Sequence, residues 1–156
     1  MKIQIWCWGA IRESFLKEGI SIYLKRLQKY LSTEFVEFPP VRNASKLEVP
    51  ILLKTEANVI ADKIQTGDIL ITLDEKGKEM TSSEFAQYLE VKMGSGSKRL
   101  IFLIGSASGL DDSLLQISND RLSLSKFTLP NQMVRLVFIE QLYRAMTILQ
   151  NEPYHK

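Results

Sequence analysis

Asp68-Ile69-Leu70-Ile71-Thr72-Leu73 and Arg99-Leu100-Ile101-Phe102-Leu103-Ile104 are almost continuous apolar runs, and their reading decides the fold class. Both have strand length and lack polar alternation, so each reads as a strand covered on both faces, as in a parallel sheet shielded by helices. The flanking segments extend this pattern. Lys2 to Trp8 reads as the first strand and Phe15 to Leu31 as a helix. Glu34 to Phe38 is a short strand stopped by Pro39 and Pro40, which cannot donate to a sheet ladder. Ile51 to Ile64 reads as a helix, and Thr81-Ser82-Ser83-Glu84 is a capping-box pattern that opens another, reaching about Met93. Asp111 to Ser118 is expected to be helical, Leu122 to Ser125 a short strand, and Val134 to Leu149 the last helix. This alternation predicts an α/β fold, a mainly parallel sheet flanked by helices. No repeat or linker interrupts it, so residues 1–156 read as one domain.

Composition narrows the setting more than the chemistry. The chain is 45% hydrophobic and 24% charged, the balance of a globular protein. Its single cysteine, Cys7, has no partner for an internal disulfide, which suits a reducing compartment. Gln4, Arg12 and Glu13 break up any secretory apolar segment, and no apolar run approaches the roughly 20 residues that span a bilayer. A cytoplasmic protein with no membrane partner is expected. A net charge of +2 is too small to steer polyanions by long-range field.

Open α/β sheets place ligands beyond the carboxyl ends of their strands, and three loops qualify: those after Leu73, Ile104 and Ser125. Gly105-Ser106-Ala107-Ser108-Gly109 is built from small residues that let a ligand approach the backbone, or that simply make a strand-to-helix turn. It has neither the dinucleotide-binding G-x-G-x-x-G spacing nor a P-loop lysine. Lys126-Phe127-Thr128-Leu129-Pro130-Asn131-Gln132 places Leu129 and Pro130 in an otherwise polar loop, where they wall a ligand or anchor the loop to the core. The last helix carries apolar residues over an arc wider than one packing face requires, which leaves core packing and a subunit contact both open. The only histidine, His155, lies in Pro153-Tyr154-His155-Lys156, which sets an aromatic platform beside a base and a cation. One histidine and one cysteine are too few for a metal cluster, so no metal site is expected.

Four segments together carry a resemblance along essentially the whole chain. They are Ile71-Thr72-Leu73-Asp74 with Gly77-Lys78, Leu103-Ile104-Gly105, Leu122-Ser123-Leu124-Ser125 running into Thr128-Leu129-Pro130, and Gln141-Leu142-Tyr143-Arg144-Ala145 with Tyr154-His155-Lys156. In that order and spacing the chain resembles the ribosomal RNA large subunit methyltransferase H family, of the SPOUT class. The resemblance implies a SPOUT-type fold with a C-terminal trefoil knot, a homodimer, and S-adenosylmethionine as cofactor. The implied reaction is methylation at N3 of a pseudouridine in the intersubunit stem-loop of 23S rRNA, on the assembled ribosome. Carried over residue by residue, cofactor contacts fall on Leu73, Gly105, Leu124, Ser125, Lys126, Phe127, Thr128 and Leu129. His155, Tyr154 and Arg144 are the implied catalytic residues, and Arg135, Asn131 and Lys156 the RNA contacts. The chain departs from the family at Ser106, usually glycine, and at Asn131, usually histidine. Two alternatives stand beside this reading: an RNA-binding dimer that has lost turnover, which Asn131 supports, and a SPOUT methyltransferase acting on transfer RNA.

Overall fold

A computed structural model describes residues 1–155. The five strands β1 (Lys2–Trp8), β2 (Thr33–Phe38), β3 (Ile69–Glu79), β4 (Arg99–Ile104) and β5 (Asp120–Ser123) form one sheet in the order β2-β1-β4-β3-β5. Every neighbouring pair of strands is parallel. Five α-helices connect and cover them: α1 (Ser14–Leu27), α2 (Val49–Ala61), α3 (Ser82–Met93), α4 (Asp112–Ile117) and α5 (Asn131–Leu149).

Side-chain alternation along the strands divides the core in two. Ile3, Ile5 and Cys7 of β1 pack with Leu100, Phe102 and Ile104 of β4 against α1, α3 and α5. Trp6 and Trp8, with Ile101, Leu103 and Leu70, face the other way onto Ala57 and Ile60 of α2 and Leu114 of α4. The double cover explains why the central strands lack polar alternation. Phe102 and Phe138 lie 4.7 Å apart between ring centroids and are fully buried, joining β4 to the middle of α5. Each such side chain contributes about 1.5–3 kcal/mol by leaving water.

Several boundaries differ from expectation for local reasons. The capping box at α3 forms: Thr81 Oγ1 accepts from the Glu84 amide at 3.2 Å, and Glu84 Oε2 accepts from the Thr81 amide at 2.7 Å. Strand β3 does not stop at Leu73 but continues to Glu79 through a register shift, so that Leu73 and Lys78 both face Leu122. Gly77 permits this, since a Cβ there would meet the Leu122 backbone at 2.5 Å. Strand β5 is Asp120–Ser123 rather than Leu122–Ser125, which releases Leu124 and Ser125 into the loop beyond it. Helix α5 begins three residues earlier than expected, directly after Pro130.

Candidate functional site

The carboxyl ends of β3, β4 and β5 open onto a cavity of about 490 Å³. Its floor is Leu73 and Asp74 from β3, with Ile104 and Gly105 from β4. Leu124, Ser125, Phe127, Thr128 and Leu129 close one side, and Pro130, Asn131 and Val134 at the start of α5 close the other. Loop hydrogen bonds shape the wall after β5: Ser123 Oγ donates to Ser125 O at 3.2 Å, and the Phe127 amide donates to Ser125 Oγ at 3.0 Å. Gly105 is required where it stands, because a Cβ would meet Gly109 O at 2.6 Å. The loop folds back on itself there, with the Gly109 amide donating to Ser106 O at 3.0 Å.

Seven of the eight residues expected at a cofactor line this cavity. Lys126 does not: its side chain is 87% exposed and reaches Glu79 at 3.7 Å. Phe127 lines the rim with 84% of its surface exposed. Ser106 of the small-residue loop is also a wall, and Asp74, Leu110 and Val134 contribute walls that the sequence reading left out. For Leu110 the signal was its place beside the small-residue loop.

Asn131, expected to touch RNA, instead spans the cavity wall. Its Nδ2 donates to Gly105 O at 2.5 Å, and its Oδ1 accepts from Arg135 Nη2 at 3.0 Å. Arg135, also expected at the RNA, requires correction. It is 2% exposed and donates to Gly9 O at 2.7 Å and to Trp8 O, with Glu37 at 3.9 Å. The end of β1 presents main-chain carbonyls with no strand beyond them, and the guanidinium satisfies them, as buried polar groups demand. Nearby Cys7 is buried and its thiol is pushed up to about 12 by desolvation, with Arg135 opposing and Glu37 adding to the rise. It is an inert core residue.

The expected catalytic trio gathers at the other end of α5. Arg144 donates from Nη2 and Nε to Glu140 Oε1 at 2.6 and 3.0 Å. Its guanidinium lies 4.7 Å from the Tyr154 ring centroid, and its Nη1 is 3.5 Å from His155 Nδ1. Tyr154 packs edge-on against Tyr143 and donates to Glu140 Oε1 at 3.0 Å. Burial and hydrogen bonds with Tyr23 and Glu140 push the Tyr154 hydroxyl above the usual phenol range, so it acts as a donor. The Glu140 carboxylate holds the Arg144 guanidinium protonated more firmly still. His155 is exposed. Lys156 lies outside the described residues. From Asn131 to Arg144 the helix advances about 20 Å at ~1.5 Å per residue, so cavity and trio are far apart within one chain. Among the described residues, no three histidine, cysteine or acidic side chains are grouped to hold a metal ion, and no helix is long and apolar enough to cross a membrane.

Comparisons with known proteins were made on this background. A family model described as "Predicted SPOUT methyltransferase" matches residues 1–155. A protein of Cytophaga hutchinsonii named ribosomal RNA large subunit methyltransferase H is 48% identical over 155 residues, 99% of each chain. A namesake from Acetivibrio thermocellus is 40% identical with both chains covered in full. Among solved structures, a probable methyltransferase from Bordetella pertussis superposes with a TM-score of 0.58 at 9% identity, covering 92% of this chain and 93% of that one. That last likeness speaks for the fold alone.

Proposed function

This chain belongs to the SPOUT methyltransferase family, and from that premise we propose that it methylates N3 of a pseudouridine in the intersubunit stem-loop of 23S rRNA on the assembled ribosome. The observation that carries the reading is the strand-end cavity, where three loops distant in sequence bring Leu73, Gly105 and the Leu124–Leu129 segment together. Relatives that carry the large-subunit methyltransferase name match over their full length, which supports the same substrate here. We read residues 1–156 as a single catalytic domain, cytoplasmic, with its carboxyl-terminal part knotted as in the family.

The cavity fits S-adenosylmethionine. At Gly105 the missing side chain makes room for the Gly109 backbone, and the tight small-residue loop so formed lines the cavity with main chain that a flat heterocycle can meet. Leu73, Leu124 and Leu129 supply apolar walls, and Ser125 and Thr128 supply hydroxyls near the opening. When bound, the cofactor supplies a methyl group on a sulfonium with a neutral leaving group. The protein's contribution is then mainly alignment of the acceptor nitrogen. As the methyl group joins N3, the N3 proton must leave, and His155 is assigned to accept it. Tyr154 offers a ring on which the target base stacks, and Arg144 carries the positive charge that orients the imidazole and the RNA backbone. Lys156 is assigned to phosphate contact.

The separation of cavity and trio, about 20 Å along α5, supports a shared site in which a second copy of the chain brings Tyr154 and His155 to the cavity of the first. We therefore read the active unit as a homodimer. Mixing a cavity variant with a His155→Ala variant should restore activity that neither has alone, and failure to complement would sink the shared site. The main test is methyl transfer from labelled S-adenosylmethionine to ribosomes that lack the modification, with the product mapped by mass spectrometry. Methylation at the stem-loop pseudouridine establishes the reading. Transfer to transfer RNA instead, or cofactor binding without transfer, overturns it.

A further inference from the structure

Beyond α5 the chain reverses. Asn151 takes the left-handed conformation, with φ of 54°, and its amide donates to Ile148 O at 3.0 Å. The Glu152 amide donates to Thr147 O at 2.9 Å. These are the two bonds of a Schellman turn, with asparagine where glycine is usual. The turn brings Tyr154 back to Tyr143 and Glu140, and there the tail meets α1. Tyr30, just past the end of that helix, donates its hydroxyl to Glu152 Oε2 at 2.6 Å. Tyr23 Oη lies 3.2 Å from Tyr154 Oη. Tyr154 spends its one proton on Glu140, so Tyr23 is the donor of that pair.

We propose that Tyr23 and Tyr30 are positioning residues for methyl transfer: they clamp the carboxyl-terminal tail on either side of Pro153, so that His155 is presented in one place before RNA arrives. The residue between the two bonds is a proline, whose φ is fixed by its ring, so two anchors leave this stretch little freedom. Aromatic rings form the seat. Tyr143 of α5 stands 5.8 Å from Tyr23 and 6.0 Å from Tyr30, and Tyr154 rests edge-on against it at 4.8 Å. The Arg26 guanidinium lies over the Tyr23 and Tyr143 rings at 5.3 and 5.6 Å, a cation on two ring faces that ties α1 to α5.

His155 is exposed, so burial does not fix its place. Residues this close to a chain end ordinarily fray. A base that occupies its working position for only a fraction of the time serves only that fraction of encounters. Holding Glu152 and Tyr154 on the folded body removes this loss in advance, because alignment is what the reaction asks of the protein. Each clamping bond, at its net worth in water, changes the ordered fraction by about two- to tenfold. Within one chain, none of Tyr23, Tyr30 or Glu152 lines the strand-end cavity, so cofactor affinity is independent of the clamp.

This inference rests on the tail carrying the proton acceptor, so one arm of its test needs neither RNA nor turnover. The order parameter of the Tyr154 amide, from NMR relaxation of the free full-length protein, should be near the ~0.85 of rigid backbone and fall toward ~0.6 in the double variant Tyr23→Phe, Tyr30→Phe. In methyl transfer to ribosomes that lack the modification, each single variant should lower kcat/KM by about two- to tenfold, with the Kd for S-adenosylmethionine unchanged. Glu152→Ala should match Tyr30→Phe, and the two together should lose no more than either alone. Glu152→Gln, whose amide oxygen still accepts from Tyr30, should transfer like the wild type. An ordered tail in the double variant, full transfer from a loosened tail, or independent effects of Tyr30→Phe and Glu152→Ala would each overturn the proposal. The expected loosening, with no transfer by the wild type to these ribosomes, supports the clamp and overturns the substrate reading instead.

Discussion

The two ends of α5 each carry an arginine, and the protein treats them in opposite ways. Arg135 is 2% exposed and divides its donors among the Trp8 carbonyl at the end of β1, the Gly9 carbonyl just beyond it, and Asn131. The Arg144 side chain keeps 25% of its surface exposed and spends its donors on one neighbour a turn away, Glu140. A guanidinium enclosed by fixed carbonyls is an architectural brace, whereas one held by a single carboxylate at the surface remains able to meet a ligand. Charge alone does not mark a phosphate contact; the partners already engaged decide it.

This contrast is open to attack at several points. Removing Tyr154 to Lys156 should lower kcat by about 10²–10⁴, the range of a lost proton acceptor, with cofactor affinity as it was and a stability loss confined to the packing and hydrogen bonds of Tyr154. Unchanged transfer would return that end of the helix to mere structure. Arg135→Ala should destabilise the fold by about 3–5 kcal/mol in urea unfolding, because buried carbonyls are stranded. A wild-type unfolding midpoint would mean that the brace is dispensable. Asn131→Ala, which frees Gly105 O and one Arg135 donor, should cost about 1–3 kcal/mol and weaken cofactor binding more than it slows turnover. Separate measurement of Kd and kcat distinguishes that from an RNA role. Tyr154→Phe keeps the ring and loses the hydroxyl's bonds to Glu140 and Tyr23, so about 0.5–1.5 kcal/mol of stability is expected to go. A larger loss would show that the trio is braced as firmly as the other end.

What was legible in the sequence follows the same division. Strands β1 and β4 were read with their observed limits because they are covered on both faces, and hydrophobicity reports such burial directly. The carboxyl half of β3 was not, since Asp74 to Glu79 is polar and pairs with β5 only through the close approach that Gly77 permits. The start of α5 was placed late; Pro130 was the available signal, as proline favours the first positions of helices. The strand-end loops were legible as a ligand position because topology places them. The burial of Arg135 was not, because its reason is the location of the Trp8 and Gly9 carbonyls, which no side-chain pattern encodes.

The Arg135 brace also has a consequence for the order of events in synthesis. It ties residues 126 and 127 positions apart in the chain, and the Arg12 amide reaches Gln132 Oε1 across 120 positions, at 2.9 Å. Contacts of such separation demand a large loss of chain entropy before they are rewarded, which places them among the slow steps of folding. The amino-terminal strand therefore emerges from the ribosome with its end carbonyls served by water, and waits for nearly the whole chain to be translated before Arg135 can replace that water. A truncated product never completes the cavity, so incomplete copies of this protein are born without a binding site.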